Sequence, residues 1–188
     1  MKKSCKSLLL SSAAALALGT PLLASAESQL TVGSGSATAR LDFRVIIPRV
    51  LFLGVGTGSA TLANNNTIDR LTFDYSGTPA DIGSGTASAA QSVAVRVLGN
   101  NGAISLAAAG SGSGLTNGTD VIPWSQIVAS SSDTTNLNVP AVGGTAAPAL
   151  SSGKVTNRTA SWSYSYANSA VVAPGTYDGQ ITYTASMP

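Results

Sequence analysis

Apolar residues in this chain recur at every second position, a spacing that builds strands and leaves no amphipathic helix. Ala37 to Ile47 reads A-T-A-R-L-D-F-R-V-I-I, with Leu41, Phe43, Val45 and Ile47 on one face and Arg40, Asp42 and Arg44 on the other. Pro48 has no N–H to donate and interrupts pairing there. Arg49–Val55 is a second short apolar strand, ended by Gly54, Gly56 and Gly58. The same alternation marks Leu71, Phe73 and Tyr75; Val93, Val95 and Val97; Trp162, Tyr164 and Tyr166; and Tyr177, Ile181, Tyr183 and Ala185. Ile104 and Leu106 mark a short strand after Gly99-Asn100-Asn101-Gly102, whose Asn-Gly step favours a tight hairpin. Pro174-Gly175 is the turn into the last strand.

Between these runs lie Gly-, Ser-, Ala- and Asn-rich stretches without helical periodicity: Gly56–Ala63, Gly77–Ala90, Ala107–Thr119 and Ser130–Gly153. Val121–Ala129 reads as a strand or as a loop packed by Trp124. About seven or eight short strands separated by turn signals predict an all-β fold, an Ig-like antiparallel β-sandwich.

The first 26 residues have the three-part layout of a secretory signal peptide. Lys2, Lys3 and Lys6 precede an apolar Leu/Ala stretch, and Ala24-Ser25-Ala26 is a small-x-small cleavage site. That stretch is shorter than the roughly 20 residues a spanning helix needs. Cleavage predicts a mature chain that starts at Glu27 outside the cytoplasm, forms one domain over 27–188, and has no transmembrane segment. Cys5 leaves with the leader, and the chain has no histidine. The three leader lysines come from ten basic groups, so seven remain against eight acids, a net charge of −1. No basic patch supports nucleic-acid binding. Charged residues are 10% of the chain, which suits an exported β-protein or a subunit packed against its own copies.

Without histidine no Ser-His-Asp triad forms, and without cysteine the mature chain has no thiol chemistry. Ser151-Ser152-Gly153-Lys154 matches S-x-x-K but lacks the helical setting that makes the pair reactive, and it reads as a surface turn. The acids Asp42, Asp69, Asp74, Asp81, Asp120, Asp133, Asp178 and Glu27 read as solvated charges at turns and on outward faces rather than as a general acid–base pair. Gly54–Gly58 and Gly110–Gly114 lack the lysine of a phosphate-binding loop. The expectation is a protein that is not an enzyme, with no catalytic residues, no cofactor and no metal. Trp162, Tyr164 and Tyr166 admit two readings: a glycan-binding platform, or a core-facing row, which is commoner for aromatic residues.

The C-terminal run Pro174-Gly175-Thr176-Tyr177-Asp178-Gly179-Gln180-Ile181-Thr182-Tyr183-Thr184 resembles the closing strand of bacterial fimbrial subunits, P-x-G-x-Y-x-G-x-[aliphatic]-x-[aromatic]. The N-terminal order of alternating strand, proline and second apolar strand is similar to that of major pilins of colonisation-factor-type chaperone–usher fimbriae, which are also cysteine-free. That resemblance implies a sandwich lacking one strand, completed by a neighbouring subunit's N-terminal extension. It makes 27–47 a donor-strand extension, with Leu41, Phe43, Val45 and Ile47 as the groove-filling side chains. It further implies a fimbrial role in adhesion at the cell surface, with copies of itself, a periplasmic chaperone, an outer-membrane usher and a tip adhesin as partners. Ala37–Ile47 as an ordinary first strand of a complete sandwich is the alternative. The protein would then be a monomeric secreted Ig-like module binding a glycan or cell-wall component through Trp162, Tyr164 and Tyr166.

Overall fold

The computed structural model describes residues 27–188; the leader expected from the sequence, with Cys5, lies outside the described residues. The chain divides into two units, Met1–Ile46 and Ile47–Pro188. The second holds nine strands: β1 (Leu51–Val55), β2 (Gln91–Gly99), β3 (Ser105–Gly110), β4 (Gly114–Thr116), β5 (Val121–Pro123), β6 (Ile127–Ser131), β7 (Thr145–Ala146), β8 (Thr156–Tyr166) and β9 (Ile181–Ser186). Its helical content among the described residues is two three-residue 3-10 turns, Pro79–Asp81 and Trp124–Gln126.

Every pairing is antiparallel. A four-stranded sheet runs β1-β2-β8-β6, a three-stranded sheet runs β7-β3-β9, and β4 and β5 form a separate pair, with Thr116 of β4 also bridged to Asp178. The all-β sandwich expected from the two-residue period is the fold observed. β2 shows why: Val95 and Val97 are buried while Ser92 and Ala94 are exposed and Arg96 half-exposed, so the pleat sorts the side chains by face. Along β8, Trp162 and Tyr164 are buried in the same way. The core is Val95, Val97, Ile104, Leu106, Leu137, Trp162 and Tyr164.

Four details differ from the sequence expectation. Ala37–Ile47 carries no strand. Leu71, Phe73 and Tyr75 are half-buried between exposed Arg70, Thr72 and Asp74, but the segment has no ladder. Its alternation reflects packing on the core; a ladder also needs a neighbouring backbone. The Asn101-Gly102 step is not a hairpin, because β2 and β3 belong to different sheets. Ile104 is 1% exposed just before β3, so the chain crosses there from one layer to the other. Asn100 fixes the corner, accepting from Val50 N (2.8 Å) and donating to Pro48 O (2.7 Å). Finally, the stretch read as a loop from Ala107 contains most of β3 and all of β4. Alanine on both faces of β3 hides the period: Ala108 is buried, Ala109 exposed.

The region left open and one read as a stretch between strands also take shape. Val121–Ala129 combines β5, the Trp124 turn and the start of β6. Ser130–Gly153 is mostly loop, yet it delivers Leu137 to the core at 0% exposure.

Candidate functional site

The outer edge of β9 is the candidate site that the sandwich offers. β9 ends the three-stranded sheet and, among the described residues, pairs only with β3, from Gly110↔Ile181 to Ser105↔Ser186. Its inward row is Ile181, Tyr183 and Ala185, each half-buried. Tyr183 packs on Trp162, ring centroids 5.1 Å apart, and its hydroxyl meets that of Tyr164 at 2.9 Å. Leu53, Val55, Leu71, Phe73, Tyr183, Ala185 and Met187 all pack against the core while staying partly exposed. A closed sandwich buries such a ring of side chains; here it is left half-covered.

The Arg70–Tyr75 segment has the same character. Arg70 contacts Asp178, three residues before β9, at 3.1 Å. Gln91 Nε2 donates to the Thr72 carbonyl, and the Tyr75 ring meets Tyr166 edge-on at 5.9 Å. These are side-chain anchors. Among the described residues the segment's backbone and the outer edge of β9 exchange no ladder bonds with any strand. Unpaired N–H and C=O groups in an extended row are a template for another strand.

The N-terminal segment supplies the complementary feature. Leu41, Phe43, Val45 and Ile47 are 65%, 85%, 82% and 78% exposed. Ile46, of opposite parity, is exposed as well. The residues before them fold back on themselves. Thr31 Oγ1 donates to Ser36 O, Thr38 N donates to Gln29 Oε1, and Arg40 meets Glu27 at 3.9 Å. These pairs share one hairpin register centred between Gly33 and Ser34, and Gly33 supplies the positive φ of +103° that the turn needs. Residues 27–33 are thus folded locally against 34–40.

The remaining sequence candidates are placed as follows. Trp162 is 0% exposed and Tyr164 6%, and Trp162 Nε1 donates to Leu137 O. Tyr166 is half-buried against Tyr75. The aromatic row therefore faces the core, and a stacking platform needs open ring faces. Burial pushes the Tyr164 hydroxyl far above the ordinary phenol value, and raises Tyr183 as well. Ser151 Oγ donates to Asn157 O and accepts from Asn157 N, in a turn closed by the Ser152↔Val155 bridge.

Three carboxylates tie loops. Asp69 accepts from Thr57 N and Oγ1, Asp74 from Ser76 N and Oγ, and Asp133 from Asn136. Each has its pKa lowered by those donors, the opposite of what a general acid requires. No cluster of three potential metal ligands occurs among the described residues. No helix among them is long and apolar enough to cross a membrane.

No protein-family model matches the chain, and no curated protein matches it. Among solved structures, a chain from the structure of a chaperone–usher pilus is similar to it with a TM-score of 0.41 and 16% identity, over 84% of this chain and 99% of that one.

Proposed function

We propose that the protein is a structural subunit of a bacterial surface fimbria that polymerises by strand exchange and serves adhesion, not an enzyme. One observation carries this reading: the apolar row that the sequence writes as a strand, Leu41, Phe43, Val45 and Ile47, is 65–85% exposed and belongs to no sheet. Large apolar side chains in such a row mark an interaction surface. Burying each is worth about 1.5–3 kcal/mol.

The receptor for that row is the outer edge of β9 in another copy, with Leu71–Tyr75 as the other lip of the groove. Neither has a strand paired to it on that side, and both carry half-buried apolar side chains. A donor strand there makes main-chain bonds along the edge and places alternate side chains against Leu71, Phe73, Tyr183 and Ala185. The half-buried ring then becomes core. An unfilled groove is an aggregation hazard, so the reading requires a periplasmic chaperone to cover it and an outer-membrane usher to organise exchange, with a tip adhesin at the fibre end. Export follows from the leader read in the sequence.

Electron microscopy of expressing cells and of a strain lacking the gene tests the function. Filaments present only in the expressing strain support it; identical filaments on both overturn it.

A further inference from the structure

The exposed apolar row and the half-buried row of β9 match position for position. Leu41, Phe43, Val45 and Ile47 alternate over seven residues. The inward row of β9 runs on past the strand end as Ile181, Tyr183, Ala185 and Met187, also four side chains over seven residues, each half-buried. Two arginines mark the ends of this acceptor stretch. Arg49 Nη2 donates to Met187 O at 2.7 Å, and Arg70 meets Asp178 at 3.1 Å. Among the described residues no other hydrogen bond joins residues 49–75 to residues 178–188. The acceptor stretch therefore has a defined length, and that length is the donor's.

Four positions against four fit in two directions, and side-chain size separates them. Run antiparallel, the donor puts Leu41 opposite Met187, Phe43 opposite Ala185, Val45 opposite Tyr183 and Ile47 opposite Ile181. Each aromatic ring then faces a small partner, as interdigitated packing requires. Run parallel, Phe43 lies opposite Tyr183 and Val45 opposite Ala185, which overfills one level and leaves a void at the next. The outward face agrees. Antiparallel, Asp42 lies opposite Ser186, one residue from the carbonyl that Arg49 holds, so a carboxylate meets a guanidinium. Parallel, Ile46 takes that place. Every ladder in the domain is antiparallel, the slightly more stable pairing per residue.

We infer that Leu41–Ile47 of one copy joins β9 of the next antiparallel and in one register, Leu41↔Met187 to Ile47↔Ile181, with Asp42 of the donor beside Arg49 of the acceptor. This rests on the fimbrial reading above and adds to it the direction and register of the joint, set by alternating side-chain size.

Residues 27–188 contain no cysteine, so introduced pairs read the register directly in filaments from expressing cells. Residues directly opposite have Cβ atoms about 4.5–5.5 Å apart and diagonal ones about 7–8 Å. A disulfide closes across the first spacing and not the second. Asp42→Cys with Ser186→Cys, both at exposed positions, should give a covalent ladder on non-reducing gels after mild oxidation. Asp42→Cys with Thr184→Cys, a slip of two, or with Thr182→Cys, the parallel partner, should run as monomer. Ile46→Cys with Thr182→Cys should also give a ladder, and it serves as the readout if Asp42→Cys does not assemble. A ladder from 42–182 or 42–184 in place of 42–186, or filaments with no ladder from any pair, overturns the register and leaves the fimbrial reading standing. A 42–186 bridge closed inside one subunit, or no filaments from cells expressing the unaltered chain, overturns both.

Discussion

Tyr164 of β8 and Tyr183 of β9 meet hydroxyl to hydroxyl at 2.9 Å, joining the two sheets of the sandwich. Burial raises the pKa of both, Tyr164 the more strongly. The folded state therefore holds these protons at pH values where the unfolded chain, with ordinary phenols near pH 10, has released them. Stability contributed by the pair is full below about pH 10 and falls as pH rises above it, since the native state binds more protons there. The slope should approach about 1.4 kcal/mol per pH unit for each phenol kept protonated. Urea unfolding between pH 8 and 11 should show this fall, and Tyr164→Phe should flatten it. An unchanged slope in Tyr164→Phe would mean the pair does not govern alkaline stability.

The proposed donor row predicts a separation between folding and assembly. Phe43→Asp places a charge where strand exchange would bury it, a cost of several kcal/mol. Polymers should disappear while the subunit still folds in complex with its chaperone. Arg44→Ser, of opposite parity, should assemble normally. Deleting 27–47 should leave a soluble chaperone-bound domain, read by co-purification; a domain that unfolds with its chaperone present would return the segment to its own sandwich.

Leu137 is fully buried although its neighbours form a loop, and its carbonyl accepts from Trp162 Nε1 and Ser131 Oγ. Leu137→Ala should cost about 2–5 kcal/mol in denaturant unfolding, the range for a buried leucine cavity. A loss comparable to an exposed-site substitution would show that the loop contributes nothing to the core.

Asn168 is 2% exposed with a φ of +57°, accepting from Gly83 N and donating to Asp81 O and Thr86 O. Its amide pins the loop that follows the Pro79–Asp81 turn. Asn168→Ala should destabilise by about 1–3 kcal/mol through the buried groups it orphans. Asn168→Gly relieves the backbone but not the lost bonds, so equal losses in the two variants assign the effect to hydrogen bonding. Full recovery in Asn168→Gly would assign it to the backbone instead.

The sandwich was legible in the sequence because alternation is a local property. Val93–Val97 and Trp162–Tyr166 carry their facing in every second residue, and the pleat has one way to bury it. The aromatic row was readable as core or as platform, and only the packing of Leu137 and Tyr183, from a loop and from the other sheet, covers it. Ala107–Ala109 gave no alternation to read, since alanine is compatible with either face.

Pairing is where local pattern stops. Leu71–Tyr75 and Leu41–Ile47 write the same period as β2, but a ladder needs a backbone beside it, and which backbone lies there is set by the whole chain. The hairpin signal at Asn101-Gly102 failed for the same reason, because Ile104 had to reach the core of the second layer. The row across β1, β2 and β8 had no sequence signature at all. Antiparallel registers place Gly54, Arg96 and Thr159 side by side across three strands. The sequence by itself determined which side chains alternate; the tertiary structure decided which of them find a neighbour and which are left waiting for one.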